Sequence, residues 1–242
     1  IVTTKAFGLN YSDKWGNAEV SGSYFFNNSN NIAENNLIRI FTSPDNLGLI
    51  YSELNNSRLD NTNHRANFRA EWKIDSANAL IFTPRLSLQN TKTLQSVFSS
   101  NDLNLSLLNN FNNNLQTEYY NFSLPLLYRH NFKMPRRTVS AQFNPSWNNG
   151  LNNNLLFSVL EDQIFMSTDT LDQLQDTERK GSNLNSNLSY TEPIGERSMM
   201  MLSYTHVLNN NESDQKTFLS TGQNEIYTLV DTSLSNVFNA DY

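Results

Sequence analysis

The chain contains no cysteine and no long hydrophobic run, and these absences exclude several classes of protein. Without Cys there is no disulfide framework, no thiolate metal site and no cysteine nucleophile. No stretch approaches the ~18 consecutive apolar residues of a membrane-spanning helix. Mean hydropathy is −0.55. A transmembrane β-strand shows only every second side chain to lipid, so this low average is still compatible with a membrane β-barrel.

Basic residues are also few: 17 Lys and Arg against 23 Asp and Glu give a net charge of −6. The sequence has no basic cluster with interleaved aromatics, so a nucleic-acid partner is not expected. A single domain covering residues 1–242 is the simplest organisation. Residues 1–7 alternate like a strand and lack the basic and apolar regions of a signal peptide, so we expect a mature chain or a fragment.

Strand-like alternation is clearest in residues 64–74, where even positions such as Phe68 and Trp72 are apolar and odd positions are polar or charged. After a turn at 75–78 the same alternation resumes from Leu80 to Leu88. This pattern predicts a hairpin of two long strands. Three further hairpins follow the same design, around turns at these positions: 13–17, 133–136 and 192–195.

The spacing of these hairpins predicts about eight strands of about 10 to 14 residues, with residues 234–242 as the start of another. Long links separate the hairpins, near residues 28–61, 93–116, 148–178 and 210–233. Asn tracts at 27–36, 109–114 and 148–154 indicate loops, because Asn tolerates left-handed backbone. Prion-like disorder is the competing interpretation of the Asn bias.

Alternating short turns and long links are typical of outer-membrane barrels, which have short periplasmic turns and long extracellular loops. A soluble sandwich has more evenly spaced turns. The predicted fold is therefore all-β, an antiparallel up-and-down transmembrane β-barrel segment of about 8 to 10 strands. Aromatic side chains near strand ends suit the two headgroup levels, although a sandwich core is the alternative. The residues predicted to face lipid or form these girdles are Tyr11, Trp72, Phe82, Tyr128, Phe132, Trp147 and Tyr190.

Some residues fit this pattern poorly. Pro84, Pro125 and Pro145 lie inside predicted strands, where each removes a ladder hydrogen bond, and we expect β-bulges there. Ser186 and His206 are polar but fall on the predicted lipid face, so the pattern supports the predicted register of the last hairpin less well.

Charged residues occupy the opposite parity of several strands. These predicted lumen-facing residues are Arg65, Arg69, Glu71, Lys73, Arg85 and Arg129. There they would meet a plug domain or bias the passage of solutes. The alternative is mutual pairing across neighbouring strands, which stabilises each pair by about 0.2 to 1 kcal/mol.

No catalytic or cofactor site is predicted. His64, His130 and His206 are far apart in sequence and fit interfacial aromatics with a polar tip better than metal ligands. Carboxylates between residues 161 and 176 lack the spacing and Gly of a known calcium loop, so a solvated acidic loop is favoured over a Ca²⁺ site. Nucleophile elbows, His-Glu-x-x-His pairs and phosphate loops do not occur, so we do not expect an enzyme.

Five strings carry a family resemblance: 5–13 (KAFGLNYSD), 20–27 (VSGSYFFN), 80–85 (LIFTPR), 190–195 (YTEPIG) and 232–236 (TSLSN). Together they resemble the barrel region of TonB-dependent receptor-like outer-membrane proteins of Bacteroidetes-type bacteria. Such receptors resemble one another in having an N-terminal regulatory-like domain, a plug inside a barrel of about 22 strands and a segment that engages TonB. None of those parts is visible in this sequence, which therefore looks like an internal piece of barrel.

The resemblance implies location in the outer membrane of a Gram-negative cell, contact with its lipid, and import of a bulky nutrient. A plug domain and TonB would be engaged through other parts of the parent chain. Two alternatives stay open: a small complete outer-membrane barrel with a structural or adhesive role, and a soluble β-sandwich or solenoid binding module.

Overall fold

The computed structural model describes residues 1–43, 48–101, 107–163, 165–220 and 227–241. Within them the chain is all-β, with twelve strands in one antiparallel sheet. The described residues contain no helix that is long and apolar enough to span a membrane. The strands are β1 (Val2–Trp15), β2 (Ala18–Ile40), β3 (Ile50–Lys73), β4 (Asn78–Phe82), β5 (Arg85–Asn101), β6 (Leu107–Ser123), β7 (Leu126–Asn131), β8 (Thr138–Asp162), β9 (Ser167–Pro193), β10 (Met199–Ser220), β11 (Tyr227–Val230) and β12 (Asn236–Asp241).

The chain crosses the sheet in eight long passes, where a pass is one strand or two consecutive strands in line. Strands β1, β2, β3, β8, β9 and β10 are one pass each, and β4 with β5 and β6 with β7 form the other two. β4 and β5 keep one register against β3, with Ala70 opposite Phe82 and Asn67 opposite Arg85. β6 and β7 do the same against β8. β11 and β12 form a ninth pass beside β10, where a strand over 234–242 is predicted; Tyr242 lies outside the described residues. The predicted antiparallel up-and-down β fold is confirmed.

Three prolines lie on neighbouring passes in the middle of the sheet. Each accepts a backbone hydrogen bond but has no N–H to return one, so each pair keeps one of its two bonds. These bonds are 2.9 to 3.0 Å long and run from Phe68 to Pro84, from Thr83 to Pro125 and from Leu124 to Pro145. The bulges predicted at the prolines are wrong, because the register is the same on both sides of each one and no residue is inserted.

Short turns join the passes at one end of the sheet, as the sequence predicts. The first consists of two residues, Gly16 and Asn17, between the paired residues Trp15 and Ala18. Gly16 has a φ of +60°, a conformation that glycine adopts without steric strain. The turn is therefore shorter than the predicted span 13–17, and β1 continues through its first three residues.

The long links are mostly strand, so the prediction of loop there is wrong. β2 has 23 residues and β3 has 24, and they pair from the Gly16 turn to Ile40 opposite Ile50. β8 and β9, with 25 and 27 residues, extend in the same way. The centres of the four links, residues 44–47, 102–106, 164 and 221–226, lie outside the described residues.

Cross-strand hydrogen bonds explain why the Asn tracts form strands. The Asn28 amide donates to the Thr62 hydroxyl at 2.8 Å, and the Asn30 amide donates to the Asp60 carboxylate. The intrinsic propensity of Asn disfavours strands, but these hydrogen bonds come from the neighbouring strand and stabilise the strand conformation. Asn-rich β6 pairs along its length with β5 and β8, and its Asn109 amide oxygen accepts a hydrogen bond from the Ser158 hydroxyl at 3.0 Å.

The sheet has no second layer of protein over it, since every described strand belongs to it. Val20 and Ile81 are the buried hydrophobic residues of the described chain. Phe68 and Trp72, which a sandwich would bury, are 40% and 49% exposed. A soluble monomer rarely exposes apolar surface on this scale.

Thr217 on β10 is completely buried beneath an irregularity between β11 and β12. Five residues, 231–235, face only two residues of β10, because Val230 lies opposite Phe218 but Asn236 lies opposite Gln215. The Thr217 hydroxyl donates to the Leu234 carbonyl oxygen at 3.1 Å. A buried hydroxyl thus fastens this edge of the sheet.

Substituting Thr217→Val is expected to lower the free energy of unfolding by about 1 kcal/mol, because the hydrogen bond to the Leu234 carbonyl is lost while the side-chain volume is kept. The Gln215 amide, at 3.3 Å, remains a donor to that oxygen. Urea denaturation measures the change. Thr3→Val, on exposed β1, is the control and should change stability by less than about 0.5 kcal/mol. Equal effects of the two substitutions would contradict this role of the hydroxyl.

Asp75 organises the turn between β3 and β4. Its carboxylate accepts hydrogen bonds from the Asn78 side chain and from the backbone N–H of Ala77 and Asn78, at 2.7 to 2.9 Å. These bonds, that of the Asn78 side chain first, hold the pKa of Asp75 below its ordinary value. The ionised form is therefore the one that stabilises the turn.

Asp75→Ala is expected to lower Tm at neutral pH and to make no difference in strong acid. A lowered folded-state pKa contributes stability above the unfolded value of about 3.9, and this contribution is lost as pH falls through the folded value. Thermal unfolding of both proteins between pH 7 and pH 2 tests it. Ser76→Ala in the same turn is the control, and its Tm difference from the native chain should not change with pH. A pH-independent effect of Asp75→Ala would refute the assignment.

Candidate membrane-facing surface and charged opposite face

One face of the sheet, named here the apolar face, carries the large hydrophobic side chains near the short turns. The register aligns them in rows: Leu80 lies opposite Trp72 on one side and Tyr128 on the other. Ser186 and His206 share a row with Phe143 on this face, as the predicted alternation has it. The seven residues predicted to face lipid all lie here: Tyr11, Trp72, Phe82, Tyr128, Phe132, Trp147 and Tyr190.

The apolar side chains form a band of limited height. On the β6–β7 pass it extends from His130 to Tyr120, through alternate residues such as Leu126 and Phe122. Ten residues at ~3.3 Å each, tilted by about 40°, rise ~25 Å. This is the height of the lipid-facing band of an outer-membrane barrel.

Aromatic rings concentrate at both limits of the band. Near the short turns, Phe132 contacts Tyr190 edge-on, with ring centroids 6.3 Å apart. At the other limit, Phe122 stacks on Trp147 at 5.8 Å. There also the Tyr24 hydroxyl is 2.8 Å from His64 Nδ1. Rings with one polar atom match the boundary between hydrocarbon and headgroups.

Beyond the band the same face becomes charged, although the strands continue. Moving away from the short turns, the next residue on this face beyond Tyr120 is Glu118, and its row also contains Glu178 and Asp214. In the next row Asp60 lies opposite Lys92. Two charged rows therefore limit the band on this side, and apolar residues such as Leu94 and Leu155 follow only beyond them.

The opposite face, named here the polar face, is mostly hydrophilic at the height of the band, although Ile81 and Leu127 also lie on it. One of its rows consists of Ser23, Asn67, Arg85, Ser123 and Ser146. The six charged residues predicted to line a lumen all lie on this face, on three neighbouring passes: Arg65, Arg69, Glu71, Lys73, Arg85 and Arg129.

Only three of these six residues form ion pairs with other residues that the structure describes. Arg69 and Glu71 form an ion pair at 2.7 Å, and Lys73 lies 3.9 Å from Glu19. These pairs are exposed, so each contributes about 0 to 1 kcal/mol. Within the described ranges no ion pair involves the remaining predicted residues: Arg65, Arg85 and Arg129.

Comparisons with protein-family models, curated proteins and solved structures gave no match. The functional argument therefore rests on the arrangement of this chain's own residues.

The other candidate groups do not converge. His64, His130 and His206 lie on different strands of the apolar face, and His130 Nδ1 is 2.7 Å from Asn78 Oδ1. Glu161 lies in β8, and Asp172 in β9 accepts a hydrogen bond from the Tyr227 hydroxyl, so most of the predicted acidic loop is strand. In the described part of the chain, no group of three His, Asp or Glu side chains is placed to hold a metal ion.

The sequence reading did not single out Glu19 or Lys14, which are 3.5 Å apart on the polar face and extend the charged cluster to β1 and β2. The alternation around the Gly16 turn already assigns Glu19 to this face. Its proximity to Lys73 required the pairing of β2 with β3, because the two residues are distant in sequence.

Proposed function

We propose that the chain forms wall of an outer-membrane β-barrel in a TonB-dependent receptor-like transporter that imports a bulky nutrient. The apolar face meets lipid and the polar face lines the interior. A plug domain and TonB act through other parts of the parent protein. The sheet's hydrogen bonding suits this role, because strands satisfy their backbone groups with neighbouring strands where no water is available.

The observation that carries the proposal is the height of the apolar band. A face that is apolar over ~25 Å and is then crossed by two charged rows, opposite a face that is mostly polar at the same height, fits lipid on one side and water on the other. A partner protein would not require this height to match hydrocarbon thickness. Import is favoured by the serines, asparagines and arginines of the polar face and by the family strings.

Single-cysteine labelling tests the two faces, because the chain has no native Cys. Phe82→Cys and Thr83→Cys are adjacent in sequence and on opposite faces. In outer-membrane vesicles, a lipid-soluble maleimide should label position 82, and a water-soluble one should label position 83. Labelling of both positions by the water-soluble reagent alone would contradict the proposal.

A second candidate, a small barrel with an adhesive role, is supported by the length of the hairpins beyond the band. β8 has 25 residues, of which the band occupies about ten. The two functions differ in their need for energy. Nutrient uptake through a TonB-dependent transporter should stop when the proton gradient is collapsed, whereas adhesion should persist. Deleting the gene in its host and measuring both properties separates the candidates.

A further inference from the structure

A groove of about 680 Å³ crosses the polar face over β1, β2, β3 and the β4–β5 pass. Gly22 lies in its floor, between the backbones of Tyr11 and Phe68. Eight of its eleven lining residues are polar-face positions, so the groove opens on that face and not toward the apolar one. Small side chains such as Ser21 and Ser23 leave this space.

The groove is basic although the whole chain is acidic. Arg69 and Arg85 line it, and no carboxylate does. Arg85 lies opposite Asn67, so Arg65 and Arg69 are its two diagonal neighbours on β3, at about 7 to 8 Å. Of these three arginines, only Arg69 forms an ion pair within the described residues, and its partner is Glu71. Two guanidinium groups therefore adjoin the groove without a counter-charge.

Hydrogen-bond donors surround these charges. The hydroxyls of Ser21, Ser23 and Thr83 line the groove, and the Asn67 amide donates to Ser23 at 3.3 Å. A guanidinium presents a planar fork of N–H groups that matches the two oxygens of a carboxylate. The combination of excess positive charge, donors and open volume suits a hydrated solute that carries carboxylate groups.

We propose that this groove binds the carboxylate of a solute passing along the polar face, with Arg85 as the principal contact and Arg65 and Arg69 supporting it. The inference rests on the proposed function, because the groove must open to an aqueous interior. It names the charge of the ligand, which neither the strand pattern nor the family strings specify.

Titration calorimetry of the full-length protein in detergent tests the site, with citrate as the carboxylate probe and glycerol as the neutral one. We expect binding of citrate alone, weakened by added salt because charges dominate it. Arg85→Gln should reduce citrate affinity by about tenfold or more, since charge-assisted hydrogen bonds are lost. Arg85→Lys keeps the charge but not the planar fork of N–H groups, so its citrate affinity should lie between those of the native protein and Arg85→Gln.

Arg129→Gln is the matched control, because Arg129 lies on the polar face at the height of the band but outside the groove. Unchanged affinity in this variant supports the site, and an equal loss in both glutamine variants overturns it in favour of general attraction. Absence of citrate binding by the native protein also overturns it, including the case in which a carboxylate of the parent protein fills the groove. Labelling at positions 82 and 83 reports the proposed function separately, so its failure is distinguishable.

Discussion

Replacing Leu126 by arginine is expected to destabilise the membrane-inserted protein by about 2 to 4 kcal/mol, the effect of a charge near the bilayer midplane. Leu126 lies on the apolar face in the middle of the band, opposite Phe82 and Phe143. Under the proposed function, the new side chain would have to carry a guanidinium into hydrocarbon. Urea unfolding of the protein reconstituted in liposomes measures the change.

Leu54→Arg is the matched control for this substitution. Leu54 lies on the same face, opposite Asn36 and Phe98, and is 37% exposed against 36% for Leu126. It differs in height, because it lies beyond the charged rows of Glu118 and Lys92. Leu54→Arg should change stability by less than about 0.5 kcal/mol. Similar effects at the two leucines would be incompatible with a lipid boundary between them.

Brominated lipids are expected to quench most of the tryptophan fluorescence of the inserted protein. The three tryptophans, Trp15, Trp72 and Trp147, all lie on the apolar face and are 42% to 59% exposed. Contact quenching requires the ring to touch the acyl chains or the adjoining headgroup level, where tryptophan is enriched. Emission in bromine-free liposomes gives the reference intensity.

A relocated tryptophan provides the control. In a variant with all three native tryptophans changed to phenylalanine, Asn67→Trp places one indole on the polar face. Aqueous acrylamide should quench this residue and brominated lipid should not. The reverse result would exchange the two faces and exclude the arginines from the interior.

The faces of the sheet were predictable from the sequence. Alternation is local, and the strands show it most clearly near the short turns, as Phe68 and Arg69 do on β3. The short turns were predictable for the same reason, since residues such as Asp75 and Gly16 form them with nearby atoms. The predicted antiparallel fold follows from these two features.

The long hairpins were not predictable from local pattern. Asn has low strand propensity, so the tract at 109–114 resembles a loop when read alone. It becomes a strand because β5 and β8 hydrogen-bond to it on both sides. The proline positions were misread for a related reason: a missing N–H can be left unreplaced in a sheet whose register is fixed by long strands on either side.

The candidate groove depended on register. Sequence spacing places Arg65 and Arg69 on one face of β3, but it does not say which residue of the next pass lies between them. Only the pairing of Asn67 with Arg85 brings the third arginine into position. The ion pair of Arg69 with Glu71, two residues apart on one strand, was within reach of the sequence.

The described residues include only two buried hydrophobic side chains, and this bears on how such a sheet is assembled. Val20 and Ile81 cannot hold a chain of this size together by themselves, since burial of one large side chain contributes about 1.5 to 3 kcal/mol. Under the proposed function, the apolar environment that other proteins build internally is provided by the bilayer. Folding then coincides with membrane insertion, and the newly made chain must remain unfolded until it reaches its membrane.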